Sequence, residues 1–170
     1  EAIAKLREHR ALVLVAEPGA GKTTRLPPAI VQSADLLAVD HPKTILLQPR
    51  RVAARAAAAR IAEENRWDVG REVGYQIRFE RCVTRDTKLI VMTEGVLTRQ
   101  LLDDALLEGV GCVILDEFHE RSLHTDLAIA LLREIKQTVR PDLLIAVMSA
   151  TLNREPAMKD RSASSPSSRL

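Results

Sequence analysis

The chain has 170 residues, 46% hydrophobic and 28% charged, with 25 Lys and Arg against 23 Asp and Glu for a formal charge of +2. That length builds one core and excludes two ordinary domains, and the near-neutral balance excludes binding nucleic acid through overall charge, so any basic surface is local. Aromatics are confined to Trp67, Tyr75, Phe79 and Phe118, which argues against a sheet that stacks successive bases. No apolar stretch approaches the ~20 residues of a membrane span and no secretory signal opens the chain, so a cytoplasmic protein is expected. The first residue is Glu1 and not Met, and the natural start is expected upstream. Cys82 and Cys112 show neither metal spacing nor a partner pattern. Both read as reduced thiols, Cys112 as a buried strand residue.

Residues 2–10 have helical spacing and read as a short covering helix. The apolar run 11–15 is the first predicted strand. After the glycine-containing stretch Ala16-Glu17-Pro18-Gly19-Ala20-Gly21-Lys22-Thr23-Thr24, a helix is expected over 23–31, disturbed after its first turn by Pro27-Pro28. Residues 44–48 form a second buried strand ahead of Pro49, and the Ala-rich run from Arg50 to Glu64 is a strong helix former. Arg51 and Arg55 share a face of it, and Arg60 lies near its end. A solvated helix face is the alternative reading of these arginines. Residues 73–79 and 88–92 suit strands, and after Thr93-Glu94-Gly95 the residues Val96, Leu97, Leu101 and Leu102 return at helical spacing. The run 111–115 leads into Asp116-Glu117-Phe118-His119. A helix is predicted over 123–139 with Leu127, Leu131 and Leu132 on one face, ended by Pro141. The last strand, 143–148, closes on Ser149-Ala150-Thr151. Short apolar strands alternating with helices predict an α/β fold, a mostly parallel sheet with helices on both faces and polar motifs at the strand C-termini. From Pro156 the chain is Ser-rich and is expected to be a disordered tail, whether linker, cloning remnant or product of a frame change.

A strand–glycine loop–helix turn aims backbone N–H groups and the positive end of a helix dipole at one spot, which suits a polyphosphate. Gly19 and Gly21 let the backbone curl around oxygens, with Ala20 and Thr24 completing the cradle. Lys22 supplies a point charge for the β- and γ-phosphates, and the Thr23 hydroxyl is placed to ligate Mg²⁺. The strict loop pattern has Gly where Ala16 stands, and a chance glycine-rich turn is the alternative. Asp116, after a buried strand, stands where phosphate-loop enzymes hold Mg²⁺, and Glu117 can orient and deprotonate an attacking water. A surface turn or helix cap would also place two acids there. Spacing alone assigns no role to His119, and His9, His41 and His124 read as packing or surface residues.

Six segments, Gly19-Ala20-Gly21-Lys22-Thr23-Thr24, Gln48-Pro49-Arg50-Arg51-Val52-Ala53-Ala54, Val73-Gly74-Tyr75-Gln76-Ile77-Arg78-Phe79-Glu80, Thr93-Glu94-Gly95-Val96-Leu97, Asp116-Glu117-Phe118-His119-Glu120-Arg121-Ser122 and Ser149-Ala150-Thr151, occur in this order. Together they resemble superfamily 2 DEAH/DExH-box ATP-dependent helicases over roughly residues 1 to 155. The Asp-Glu-Phe-His-Glu-Arg-Ser form looks most like the bacterial HrpB-type branch. Loops with Ala first are common in helicase-type ATPases. The resemblance implies a RecA-like first motor domain over 1–155, with ATP and Mg²⁺ as cofactors and RNA as the favoured nucleic acid. Lys22 and Thr23 would bind phosphates and Mg²⁺, Asp116 would hold the metal through water, and Glu117 would be the catalytic base. His119 would couple the site to Ser149, Ala150 and Thr151. Arg50 and Arg51, with Thr93, Glu94 and Gly95, would grip the sugar–phosphate backbone, and Arg60 would stack on adenine. Arg78 belongs to a segment read as structural. The family also implies a second RecA-like domain whose arginines reach the γ-phosphate, and none of these residues supplies it. Losing such an arginine costs on the order of 10³-fold or more in rate. The expectation is a chain that binds ATP weakly, hydrolyses it feebly at best and does not unwind alone. Another P-loop ATPase or phosphotransferase, and a non-catalytic nucleotide- or partner-binding fragment, are the competing readings.

Overall fold

The computed structural model describes residues 1–33, 35–120 and 122–150. Thr151 and the Ser-rich segment from Pro156, named above as a coupling residue and a tail, lie outside them. Seven strands, β1 (Ala11–Val15), β2 (Lys43–Gln48), β3 (Val73–Ile77), β4 (Glu80–Cys82), β5 (Leu89–Thr93), β6 (Val110–Leu115) and β7 (Leu144–Ser149), form one sheet in the order β1-β7-β6-β2-β5-β3-β4. All neighbours are parallel except β3 and β4, which form an antiparallel hairpin. The helices are α1 (Ala2–His9), α2 (Lys22–Gln32), α3 (Arg51–Asn65), α4 (Glu94–Asp103) and α5 (Leu123–Thr138).

Parallel strands need crossovers, and helices used as crossovers cover both faces, so the central strands must be apolar throughout. Every residue of β6 and β7 is buried accordingly. Their side chains alternate between two cores. On one face Leu46, Cys112, Ile114, Ala146 and Met148 pack with Leu6 of α1, Ile30 of α2 and Ala54, Ala58 and Ile61 of α3. On the other, Ile45, Leu47, Val113, Leu115 and Ile145 pack with Leu97 of α4 and Ala128 and Leu132 of α5. A fully buried side chain such as Ile30 or Ile61 contributes about 1.5–3 kcal/mol relative to exposure. The small Ala54 and Ala58 let α3 approach the sheet closely, which fixes where its N-terminal arginines sit.

Three expectations are corrected. Helix α2 runs unbroken through Pro27 and Pro28; both rings are buried, and that packing offsets two lost backbone donors. The strand expected to reach Phe79 stops at Ile77. Phe79 turns the chain with φ 69° and is 90% exposed, under the Arg78 guanidinium, and β4 follows. In α5 the inward face is Thr125, Ala128 and Leu132, whereas Leu127 is exposed. Leu127 lies off the stripe that faces β6 and β7.

Because the strands are parallel, their C-terminal ends share one edge of the sheet. The ends of β1, β2, β5, β6 and β7 carry the phosphate loop, Gln48, Thr93, Asp116 and Ser149, and that edge is where ligands bind in open α/β sheets.

Candidate nucleotide site

The loop between β1 and α2 turns at Gly19 and Gly21, with φ 81° and 74°. This left-handed region costs glycine nothing and other residues dearly. A Cβ on Gly19 would meet nothing within 4 Å, so the backbone conformation, not crowding, requires glycine there. Gly21 is the N-cap of α2, and the first turn of a helix leaves N–H groups without intrahelical partners, which suits an anion. Lys22 Nζ donates to the carbonyls of Ala16 at 2.5 Å and Glu17 at 2.9 Å. The ammonium is thus folded over its own loop, on partners that phosphate oxygens can replace with a stronger charge-assisted bond. Ala16 N–H donates to the Ser149 carbonyl at 3.3 Å, which ties the loop's first residue to the end of β7.

Asp116 follows β6 and is 2% exposed. A carboxylate so buried needs donors, and the described residues supply three. Thr23 Oγ1 and Gln48 Nε2 both donate to Oδ2, at 2.6 and 2.7 Å, and Glu117 N–H donates to Oδ1 at 2.9 Å. Thr23, from α2, and Asp116, from β6, are 93 residues apart in sequence. A hydroxyl beside a buried carboxylate is an oxygen donor set that fits Mg²⁺, which keeps several waters and takes few protein ligands.

Glu117 has φ 50°, a conformation held by the bond from its own N–H to Asp116. Such outliers in non-glycine residues cost of order 1–3 kcal/mol and concentrate at functional sites. Its Oε2 lies 3.4 Å from His119 Nε2, and His119 Nδ1 accepts the N–H of Ala150 at 3.3 Å. With Nδ1 accepting, Nε2 carries the imidazole proton and faces Glu117. Glu117, His119 and Ala150 form one chain of contacts.

The remaining predicted residues divide. Arg60 is exposed on α3, its Nε 2.9 Å from Glu64 Oε1. The hydrogen bond from Arg60 is the largest of the effects that hold that carboxyl below its ordinary value. Arg51 lines a groove of about 1240 Å³ together with Thr93, Glu94 and Gly95. The groove also carries Arg78, Arg81 and Arg99. Arg50 points elsewhere, into an ion pair with Glu120 at 3.0 Å. Glu94 is 6% exposed, and its Oε1 accepts Thr125 Oγ1 at 2.8 Å. Burial turns this carboxylate inward, joining α4 to α5, while Thr93 and Gly95 remain at the groove. Sequence reasoning missed Gln48 as part of the site. The available signal was a single amide ending an otherwise apolar strand.

A parallel sheet with a strand–glycine loop–helix turn and a buried acid on another strand end defines a RecA-like P-loop nucleotide-binding domain. A profile of the DEAD/DEAH box helicase family matches residues 1–159, and the chain belongs to that family. Over 148 residues it is 51% identical to "ATP-dependent RNA helicase HrpB" of Escherichia coli (strain K12), covering 85% of this chain and 17% of that protein. It is 42% identical to "Probable ATP-dependent RNA helicase DHX35 homolog" of Caenorhabditis elegans, covering 86% of this chain and 20% of that protein. Two crystal structures of Escherichia coli HrpB, described as a DEAH/RHA helicase and a DExH-box NTPase, superpose with TM-scores of 0.82 and 0.83 at 48% and 47% identity. They cover 89% and 90% of this chain and 19% and 18% of theirs. The chain therefore spans about a fifth of the length of these relatives. Among the described residues no helix is long and apolar enough to cross a membrane.

Proposed function

We propose that residues 1–155 are the first, ATP-binding motor domain of a cytoplasmic ATP-dependent RNA helicase. The observation that carries this reading is the convergence of Thr23 and Asp116 at 2.6 Å beside Glu117, with His119 joining Glu117 to Ala150. ATP with Mg²⁺, when bound, supplies a transferable phosphoryl group whose charge the metal spreads and neutralises.

The chain's own residues do the rest. The loop N–H groups of Gly19 to Thr24 cradle phosphate oxygens, and Lys22 exchanges its two loop carbonyls for them. Thr23 Oγ1 and the Asp116 carboxylate are the residues that would hold the metal. Glu117 accepts a proton from the attacking water, and His119 orients that carboxylate through Nε2–H. Because His119 Nδ1 also takes the Ala150 N–H, a shift at Glu117 is felt at the end of β7, and Ser149, Ala150 and Thr151 carry it onward. Arg60 takes the adenine face. Arg51, Thr93 and Gly95 grip the nucleic-acid backbone, joined by Arg50 once it leaves Glu120. Such a grip reads phosphate and is salt-dependent; preference for RNA requires contacts to the 2′-OH.

Steady-state ATP hydrolysis with and without single-stranded RNA, beside Glu117→Gln, tests this reading. Weak turnover that RNA stimulates, that Glu117→Gln abolishes and that an added second motor domain raises is the expected result. Turnover unchanged in Glu117→Gln would remove the assignment of the base. Robust duplex unwinding by residues 1–170 alone would contradict the need for a second domain.

A further inference from the structure

The Gln48 amide has no part in the reading above, and its position is unusual. It is the last residue of β2, 4% exposed, after Ile45, Leu46 and Leu47, which are exposed at 1% or less. An amide there is costly to bury unless its donors are used. Nε2 gives one to Asp116 Oδ2, the same oxygen that accepts Thr23 Oγ1. The two bonds differ in what else their donors do. Thr23 is itself a metal ligand in the reading proposed above, its oxygen lone pairs serving the metal while its proton stays hydrogen-bonded to Oδ2. Gln48 carries no such second duty and fixes Oδ2 from the end of β2.

Beyond Gln48 the chain continues without slack. Pro49 has a fixed φ, and Arg50 is the N-cap of α3, paired through its guanidinium with Glu120. The segment 48–51 therefore touches the segment 116–120 twice, Gln48 on Asp116 and Arg50 on Glu120, while Arg51 lines the groove. The two contacts are of different kinds. Arg50–Glu120 is exposed on the arginine side and weakly held, so a backbone phosphate offering two oxygens to the guanidinium can replace it. Gln48–Asp116 is buried and anchored at the end of β2.

From this geometry we infer that Gln48 is a positioning residue for the metal-holding carboxylate Asp116, and that residues 48–51 carry nucleic-acid engagement at Arg50 and Arg51 to that carboxylate. The inference rests on the proposed nucleotide and backbone sites. Since linkage is reciprocal, the factor by which RNA alters Mg-nucleotide affinity equals the factor by which Mg-nucleotide alters RNA affinity.

The test uses the chain 1–170 with Gln48→Met, which keeps length and removes the donor, and Gln48→Leu as a second apolar variant should the first melt early. Binding of fluorescent ADP is titrated against Mg²⁺ and repeated in EDTA, and oligouridylate binding is measured with and without Mg-ADP. Loss of a group that orients a metal ligand costs on the order of tenfold or more in metal affinity. The expected result is a rise of that size in the Mg²⁺ needed for half-maximal nucleotide binding. Binding in EDTA and oligouridylate binding without nucleotide stay at the wild-type level, and the RNA–nucleotide coupling factor falls toward one. Glu120→Gln should instead strengthen oligouridylate binding about two- to fivefold, by freeing Arg50 from an exposed pair, and leave the Mg²⁺ midpoint where it was. A wild-type Mg²⁺ midpoint and coupling factor in the Gln48 variants would overturn the inference while leaving the nucleotide site intact. Equal weakening in Mg²⁺ and in EDTA would show a merely structural role and overturn it too. A wild-type chain that bound no Mg-nucleotide would remove the site itself.

Discussion

Replacing Glu94 with alanine separates two accounts of the Thr93-Glu94-Gly95 segment. Family likeness puts all three residues on the nucleic-acid backbone, whereas the Glu94 side chain is buried against Thr125 of α5. Glu94→Ala removes a hydroxyl-to-carboxylate bond worth about 1.5–3 kcal/mol. It also removes an acid from the first turn of α4, worth about 0.3–1 kcal/mol against the helix dipole. Thr125 Oγ1 keeps Ser122 Oγ as a partner at 2.8 Å, which spares the cost of an orphaned hydroxyl. The sum is about 2–4 kcal/mol, and at roughly 2–4 °C per kcal/mol for a chain of this size the melting temperature should fall by about 4–16 °C. Oligouridylate affinity, measured by anisotropy well below the transition, should change little. Glu94→Gln keeps an acceptor and should lose less than half as much stability. A Glu94→Ala chain that melts like wild type but binds RNA tenfold more weakly would refute the burial argument and make Glu94 a direct contact.

Three further outcomes follow from single side chains. Lys22→Ala should weaken Mg-nucleotide binding about tenfold to a hundredfold, the value of a charge-assisted bond. It should barely move the melting point, since among the described residues Lys22 Nζ bonds to two carbonyls of its own loop; titration and melting check each half. Burial pushes the Cys112 thiol from 9.0 up to about 12. The folded state therefore favours the neutral thiol, and that contribution is complete below pH 9 and lost as pH rises from about 9 to about 12. Wild type should lose more melting temperature between pH 9 and 11 than Cys112→Ala, and parallel losses would deny the shift. Gly74→Ala puts a Cβ 2.2 Å from the Cys82 carbonyl and 2.7 Å from Val83 Cγ1, so it should force β4 off β3 at a cost of about 1–3 kcal/mol. Earlier melting with faster proteolysis near Phe79 checks it.

Much of this architecture is legible from sequence, for a physical reason. Strands such as β6 and β7 are buried on both faces and leave continuous apolar runs, and the phosphate loop needs Gly19 and Gly21 at fixed offsets from Lys22. The hairpin strand β4 was missed because three residues beginning Glu80-Arg81 carry no apolar pattern, and the large Phe79 mimics one more strand position while it turns the chain. The prolines of α2 argue locally for a break, and only the tertiary burial of their rings overrides that. Which strands are neighbours is not readable: β1 and β7 pair at opposite ends of the described chain, and that pairing brings Ala150 to His119. The roles of Glu94 and Gln48 depend on partners 31 and 68 residues away. No local pattern reports that one carboxylate turns inward or that one amide completes the shell around Asp116.

The most direct test of the nucleotide site is calorimetric titration of ATP into Glu117→Gln, in which turnover is blocked, in Mg²⁺ and in EDTA, with Asp116→Ala added as a second variant. The account predicts one site per chain, tighter in Mg²⁺ than in EDTA, with that difference erased by Asp116→Ala. Binding of equal strength in Mg²⁺ and EDTA, or no binding by a folded chain, would contradict it.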